Sequence, residues 1–314
     1  MASYKPLEDK LVVLIGGTGF IGTHLAQDLL ERGARLRIAA REPEKAFRLK
    51  TLANLGQIQF ARCNVKSRDS VAACTRGADA VVYLVGAFGG DQEAVQATGA
   101  GYAAEAATHE GAQAFVYLSA IGANANDEES EYARTKGLGE EKVRAAFPSA
   151  TVLRPSVLFG EDDNFINMFA GLVRASPALP VFAPESRFQP VWVDDVSAAA
   201  AAALADPGKH GGKTYELVGP ETITMEQLHN RIAQAQGRKR SFIPMPDAIS
   251  RIFASVPGTP INSDQWTLLK RGSVASGDYP GIEKLGVTPR PLSLFLDKWM
   301  ARFRKHGRFT IREA

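Results

Sequence analysis

Cysteine is nearly absent from the 314 residues: only Cys63 and Cys74 occur, and they form no CxxC pair and no metal spacing. Two free thiols in a chain of this size fit a reducing compartment. Histidine is scarce as well, with five residues scattered and no HxxxH or His/Cys cluster, so no metal site is expected. Charge of one sign is not in excess. A formal net charge of +3 is too small to argue for nucleic acid as a partner. No uncharged apolar run reaches the length of a membrane span, and the alanine run over 198–203 sits in an ordinary helix pattern. The opening "MASYKPLEDKLVVLIGG" has no apolar signal core and lacks the Arg- and Ser-rich look of an organelle presequence. The expectation is a soluble, cytoplasmic protein with at most a peripheral membrane association.

What is present is a regular alternation. "KLVVLIGG" reads as a buried strand stopped by glycines, and "GTHLAQDLLERG" as a helix with Leu25, Leu29 and Leu30 on one side. Further strands follow at "RLRIAAR", "GQIQFARCNV", "ADAVVYLVGAFGG", "AFVYLSAIG" and "TVLRPSVLFG", with helices between them, one opened by Ser67. This βαβ rhythm predicts an α/β fold: a Rossmann-type doubly wound parallel sheet with helices on both faces. The rhythm breaks near residue 160 in a proline-rich stretch. It resumes at "PVWVDDVSAAAAAALADPG", where Asp194 or Asp195 is a plausible helix cap. The expected organisation is a nucleotide-binding domain over 1–160, completed by about 190–237, and a smaller C-terminal lobe from 161–189 and 238–314.

The strongest local signal is "VVLIGGTGFIG". Gly17, Gly19 and Gly22 fit GxGxxG, and Gly16, Gly19 and Gly22 fit GxxGxxG, directly after a strand and opening a helix. Such a loop lets backbone N–H groups approach a pyrophosphate, and the helix N-terminus favours its charge. Gly16, Gly17, Thr18, Gly19, Phe20, Ile21 and Gly22 are therefore candidate cofactor contacts. An NAD site usually places Asp or Glu about 20 residues on, at the end of the second strand. Here Arg41 stands there, followed by Glu42. A guanidinium suits a 2′-phosphate, and Lys45 can assist from the same side, which favours NADPH or NADP over NAD. Glu42 could take the acidic role after a small register shift.

In sequence order these motifs resemble the extended and atypical short-chain dehydrogenase/reductase superfamily over nearly the whole chain. Asn64–Val65 sits where that superfamily has an Asp-Val pair at the adenine. Leu84, Val85 and Gly86 match the loop beneath the adenine ribose. Tyr132 and Lys136 match YxxxK, and "RPSVLFG", with Pro155, Ser156 and Val157, resembles the segment that meets the carboxamide. A narrower resemblance runs through "YARTKGLGEEKVRAAFPSATVLRPSVLFGEDDNFINMFA", "QPVWVDDVS" and "GKTYELVGP". It points to the dehydrogenase-like accessory subunit of respiratory complex I and its bacterial relatives. That resemblance implies a tightly held NADPH with a structural role, and a place on the inner face of the respiratory membrane among respiratory subunits.

In active members of the superfamily a tyrosinate moves a proton, a lysine lowers the tyrosine pKa and binds the ribose, and a Ser or Thr orients the substrate oxygen. Tyrosine and lysine four apart lie one helical turn from each other. A phenol with pKa near 10 needs such a cation to ionise. Aligned on the fifth strand, the serine position falls at Ala120, with Ser119 one residue early. That shift reverses a side chain's direction in extended backbone. Ser119 is then a candidate cofactor contact, and Tyr132 and Lys136 hold the ribose as well as being the candidate catalytic pair. Asn124 or Asn126 could supply a replacement donor. The leading reading is a nucleotide-bound structural or assembly subunit. Beside it stand an active NAD(P)-dependent oxidoreductase, epimerase or dehydratase on a small organic or nucleotide-sugar substrate, and an NADPH/NADP sensor that binds a protein. The C-terminal lobe is expected to dock on a partner or membrane. Its means are the apolar face Ile249, Ile252, Phe253 and Val256 and a basic tail of Arg302, Arg304, Lys305, Arg308 and Arg312 against Glu313.

Overall fold

A computed structural model describes residues 6–255 and 261–309. It separates into two compact units. The first comprises the described residues through Pro155, then Val193–Leu217 and Ser276–Thr288; the second comprises Ser156–Trp192, Val218–Ala275 and the chain from Pro289.

The first unit is built on β1 (Leu11–Ile15), α1 (Phe20–Glu31), β2 (Arg35–Ala40), β3 (Ile58–Arg62), α2 (Arg68–Thr75), β4 (Ala80–Tyr83), α3 (Gly99–His109), β5 (Ala114–Leu118), α4 (Glu131–Ala146) and β6 (Thr151–Pro155). Its sheet runs in the order Thr214–Leu217, β6, β5, β4, β1, β2, β3, with every pair parallel. This is the doubly wound order, and the direction of winding reverses between β1 and β4. A crevice opens there beyond the strands' carboxyl ends. Ile15 registers with Tyr83, so both strands end level at that crevice.

Strands buried on both faces read as solid apolar runs, and β1, β4 and β5 are fully buried. On one face Val13, Ile15, Val81, Tyr83, Phe115 and Tyr117 pack against the alanines of α3. The approach is close. A Cβ on Gly99 would lie 2.6 Å from the Tyr83 hydroxyl, and one on Gly139 would lie 2.2 Å from that of Tyr117. A wide π-turn over Ala94–Thr98 precedes α3. The Tyr83 hydroxyl donates to Val95 O and the Tyr117 hydroxyl to Gln96 O, so both buried phenols are satisfied. On the other face the alanine-rich helix Val193–Ala205 lies against α1. Ser67 caps α2 by accepting from Ser70 N. Asp194 and Asp195 fall inside the first turn of Val193–Ala205, not before it, and Asp194 faces His24 at 2.5 Å.

The unit boundaries differ from the sequence reading in two places. Helix Met225–Ala235 was assigned to the nucleotide-binding domain, but it buries Leu228 and Ile232 in the core of the second unit. Ser276–Thr288 was assigned to the C-terminal lobe, but it is pinned to the first unit's edge strand. Glu216 N donates to Pro280 O, and Ser276 donates to the Glu216 carboxylate through both N and Oγ. Sequence adjacency does not reveal either choice.

The second unit gathers Phe159, Phe169, Phe188, Trp299 and their neighbours into one apolar core. Buried Asp163 accepts from the N–H groups of Gly160, Ile166 and Asn167 and so holds the start of helix Phe165–Ala175. Thr224 and Gln227 form a capping box on helix Met225–Ala235. Helix Asp247–Ser255 buries Ser250 and Ala254, and leaves Ile249 and Phe253 about half exposed, with Phe253 stacked on Phe182. Val256 lies outside the described residues, and the side chain of Ile252 is not described. The expected basic tail is less free than its sequence implies. Arg302 donates to Glu161 O and to Asn167, and Arg304 donates to Ala235 O. Lys305 is exposed, the Arg308 side chain is not described, and Arg312 and Glu313 lie outside the described residues.

Candidate functional site

The glycine loop sits at the switch point. Gly16 adopts φ +85°, a left-handed conformation that favours glycine, and a Cβ there would meet Val85 and Leu84 at 3.0–3.3 Å. A Cβ on Gly22 would stand 2.6 Å from Gly17 Cα, so only glycine lets α1 seat against the loop. Gly19 is different. It is exposed, and its nearest neighbour would be Gly16 O at 3.5 Å, so the space above it is open to a ligand. No side chain caps α1 and no acidic residue lies in its first turn. Its N-terminal N–H groups, next to Thr18, Phe20 and Ile21, are thus left for an anion. The donor set and the free space fit a pyrophosphate.

Arg41 follows β2 at the same edge of the sheet, exposed, with no side-chain hydrogen bond or ion pair among the described residues. Glu42 pairs with Lys45 at the surface, and the ammonium holds its carboxyl below the usual range. Lys45 is tied to Glu42 in turn. Arg62, at the end of β3 and opposite Ala40, lies close enough to act on the same carboxylate. The sequence reading missed Arg62, whose signal was the parallel register of β2 and β3. Asn64 Oδ1 accepts from Lys66 N, which leaves the amide N–H₂ of Asn64 to donate beside Val65.

Leu84, Val85 and Gly86 connect this half of the site to the other. Leu84 N donates to Ile15 O, and Val85 O accepts from Lys136 Nζ at 3.2 Å. Lys136 is buried and also donates to Leu118 O at 2.8 Å. Burial lowers its pKa to about 7, against a smaller opposing effect of Glu140. Its Nζ lies 5.8 Å from the Tyr132 ring centroid. A Cβ on Gly86 would be 3.6 Å from both Lys136 Nζ and Gln96 Oε1. Gln96 Oε1 is buried without a partner among the described residues, so an acceptor stands open beside the lysine. Phe88 stacks on the Tyr132 ring with centroids 4.3 Å apart and planes 16° from parallel. Neither Gln96 nor Phe88 carries a motif, and only the fold reveals them.

The serine shift has a structural counterpart. Ser119 is buried and its Oγ donates to Glu140 Oε1 at 2.5 Å. Arg154 completes the cluster with two bonds to the same carboxylate, at 2.8 and 2.7 Å, under the ring of Tyr279. Ser119, just past β5, thus ties that end of the sheet to α4 through Glu140, and Arg154 ties β6 to the same carboxylate. Ala120, half-buried, has no donor to offer. Asn124 and Asn126 are exposed, and Asn124 Oδ1 is engaged by Asn126 N. Pro155 ends β6 in the first unit. Ser156 and Val157 begin the second, where Ser156 Oγ donates to Ser273 O. No cluster of His, Cys, Asp or Glu able to hold a metal occurs among the described residues, and no described helix is long and apolar enough to cross a membrane.

Comparison with known proteins bears on the family and the fold. Residues 16–207 match the family model described as NAD(P)H-binding. The chain is 30% identical over 298 residues to the mouse protein named NADH dehydrogenase [ubiquinone] 1 alpha subcomplex subunit 9, mitochondrial, covering 90% of this chain and 78% of that one. It is 29% identical over 262 residues to the ceramide reductase of Caulobacter vibrioides, covering 80% of each. Among solved structures, a triphenylmethane reductase from Citrobacter superposes with a TM-score of 0.75 at 22% identity, covering 93% of this chain and 99% of that one, a likeness of fold.

Proposed function

Because the chain belongs to the NAD(P)H-binding family, in the atypical short-chain dehydrogenase/reductase branch related to the NADH dehydrogenase subunit, we propose that it holds NADPH in preference to NADH. We further propose that it serves as a nucleotide-bound structural or assembly subunit of a respiratory complex. The observation that carries the cofactor choice is the edge of β2: Arg41 is exposed and unpaired, Arg62 stands beside it, and Glu42 is taken by Lys45. Two guanidinium groups without a free carboxylate suit a 2′-phosphate. Thr18, Gly19, Phe20 and Ile21 would hold the pyrophosphate and Asn64 the adenine. Tyr132 and Lys136 would bind the nicotinamide ribose. The bound group would supply hydride chemistry. The missing donor at Ala120 and the commitment of Ser119 to Glu140 favour retention over turnover.

The respiratory assignment rests on the mouse relative's name and overall match. For docking, the reading uses the second unit's exposed apolar side chains Ile243, Ile249 and Phe253, with little left of the basic tail. Titration calorimetry tests the first part. NADPH should bind more tightly than NADH, and Arg41→Asp should weaken NADPH by about 2 kcal/mol, roughly 30-fold. Equal affinity for both cofactors overturns it. Isolation from native membranes tests the second: NADH dehydrogenase subunits should co-migrate with the protein, and Ile249→Asp should release it. Its absence from every respiratory fraction overturns the assignment.

A second reading, an active reductase, is favoured by the intact Tyr132–Lys136 pair and by the relative named ceramide reductase. Rapid NADPH oxidation with a ceramide-class lipid or other carbonyl substrate, abolished in Tyr132→Phe, would establish it.

A further inference from the structure

A second basic site lies at the opposite end of the first unit's sheet. The strands are parallel, so the glycine loop and Arg41 stand at their carboxyl ends, while Leu11 and Arg35 stand at their amino ends. The six residues of β2 separate the two regions by roughly 17 Å. At the amino ends a cleft of about 220 Å³ is lined by Arg35, Arg37, Arg76, Gln57 and Gln59, with the backbone of Gly56 and Gly77 at its rim. None of its lining residues is a carboxylate.

Arg35 and Arg37 are two apart on one strand, so their side chains share a face. Arg37 is fixed by the end of α2: Nη1 donates to Cys74 O at 2.8 Å and to Arg76 O at 2.7 Å, and Nε donates to Gln59 at 3.3 Å. It is a structural cap that leaves one amino group, Nη2, without a described acceptor. Arg35 spends only Nε, on Asp9 O at 3.2 Å. Arg76 makes no side-chain hydrogen bond or ion pair among the described residues. Gln57 is used up: its amide N–H groups donate to Leu30 O and Ala34 O, and its Oε1 accepts from Asn54 N. Two carboxylates of this region have other engagements. Asp79 takes Leu11 N and faces Lys10, and Glu110 takes Gly77 N while acting on Arg76 only at longer range. Both glycines at the rim have positive φ, and no atom stands within 4 Å of where their Cβ would be.

We propose that this cleft binds a phosphate monoester through Arg35 and Arg76, with Arg37 as the fixed floor between them. The uncommitted arginine groups are donors, which is what a phosphate dianion requires, and planar guanidinium forks match its oxygens in pairs. The volume falls below that of an ordinary drug-sized pocket, so the site takes a phosphate head and a short stem and not a dinucleotide. A soluble phosphorylated metabolite and the headgroup of a phosphatidic-acid-type lipid share this chemistry.

The test uses the full-length chain and three probes: inorganic phosphate, glycerol 3-phosphate, and vesicles of phosphatidylcholine with or without phosphatidic acid. Binding to at least one phosphate monoester should be saturable. It should weaken at least tenfold in Arg76→Gln and further in the Arg35→Gln/Arg76→Gln pair, with melting temperature unchanged because neither side chain is buried. Arg41→Gln removes any phosphate held at the other end of the sheet, so the component that depends on Arg35 and Arg76 should persist in that variant. Response to glycerol 3-phosphate assigns a soluble ligand; response only to phosphatidic acid vesicles assigns a lipid headgroup. No saturable binding to any probe, or binding lost in Arg41→Gln and retained in the Arg35/Arg76 variants, overturns the proposal. The Arg41 arm also keeps this test separate from the NADPH reading, which it probes alone.

Discussion

Replacing Lys136 with methionine should change the pH dependence of stability in a direction fixed by burial. Lys136 is 2% exposed and its pKa is lowered to about 7 from an ordinary 10.5. Between those values the folded chain binds fewer protons at this position than the unfolded chain does. Stability contributed by this group therefore rises with pH across that window. Below about pH 7 the buried ammonium costs its full amount; above about 10.5 the cost has gone. At about 1.4 kcal/mol per pH unit the gap amounts to about 5 kcal/mol at its limit, and to about 2–3 kcal/mol between pH 7 and 9. Methionine fills similar space and does not titrate. It leaves Val85 O and Leu118 O without their donor, a penalty that does not vary with pH. Urea unfolding of both proteins at pH 6, 7, 8 and 9 gives the comparison. The advantage of Lys136→Met over the parent should be largest at pH 6 and fall by about 2–3 kcal/mol by pH 9. Staying below pH 9.5 avoids Tyr83 and Tyr117, whose pKa burial raises and whose stabilising protons are lost only in more alkaline solution. A difference that stays flat from pH 6 to 9 would show that the ammonium is not desolvated and that the lysine's poise near neutrality is wrong.

Arg154→Leu should cost about 3–5 kcal/mol in denaturant unfolding, because it leaves the nearly buried Glu140 carboxylate without its bidentate partner. A loss under 1 kcal/mol would mean that the pair is solvated. Phe88→Ala should cost only about 1 kcal/mol, the value of one aromatic stack, since the ring is 49% exposed. A loss above 3 kcal/mol would place Phe88 in the core.

Most of the first unit was legible because parallel strands buried on both faces are written as unbroken apolar runs, and glycine spacing marks where the first one turns. Arg41 was legible because it follows such a run at a counted distance. Other features depend on the register between strands and on the packing between helices, which no local pattern encodes. Arg62 enters the site because β3 lies beside β2, Phe88 because its loop folds over α4, and Gln96 because a π-turn lowers it toward Lys136. The same holds for the tail. Arg302 and Arg304 read as a basic docking tail until the carbonyls of Glu161 and Ala235 are seen beneath them.

The serine position gives the sharpest separation between holding a nucleotide and using it. In an extended segment successive side chains point to opposite sides. Ser119 therefore reaches Glu140, and the next side chain, on the other side, is a methyl group. Tyr132 and Lys136 remain together, so on the proposed reading the part lacking is a neutral donor for a reacting oxygen. Ala120 is half-buried and not enclosed in the core. A single such donor in a preorganised site is worth roughly 10²–10³ in rate. Ala120→Ser should then raise NADPH oxidation with simple ketones and quinones at least tenfold over the parent. NADPH affinity, followed by calorimetry, should stay within a factor of about two, since the cofactor contacts at Gly19 and Arg41 are untouched. The gain should vanish when Tyr132→Phe is added, because the hydroxyl orients an oxygen that the phenol must still protonate. If Ala120→Ser binds NADPH normally and oxidises it no faster with any carbonyl tested, the deficit lies elsewhere and the register argument does not explain retention. If the parent already turns over rapidly, Ala120 was never the missing part, and the reductase reading takes precedence.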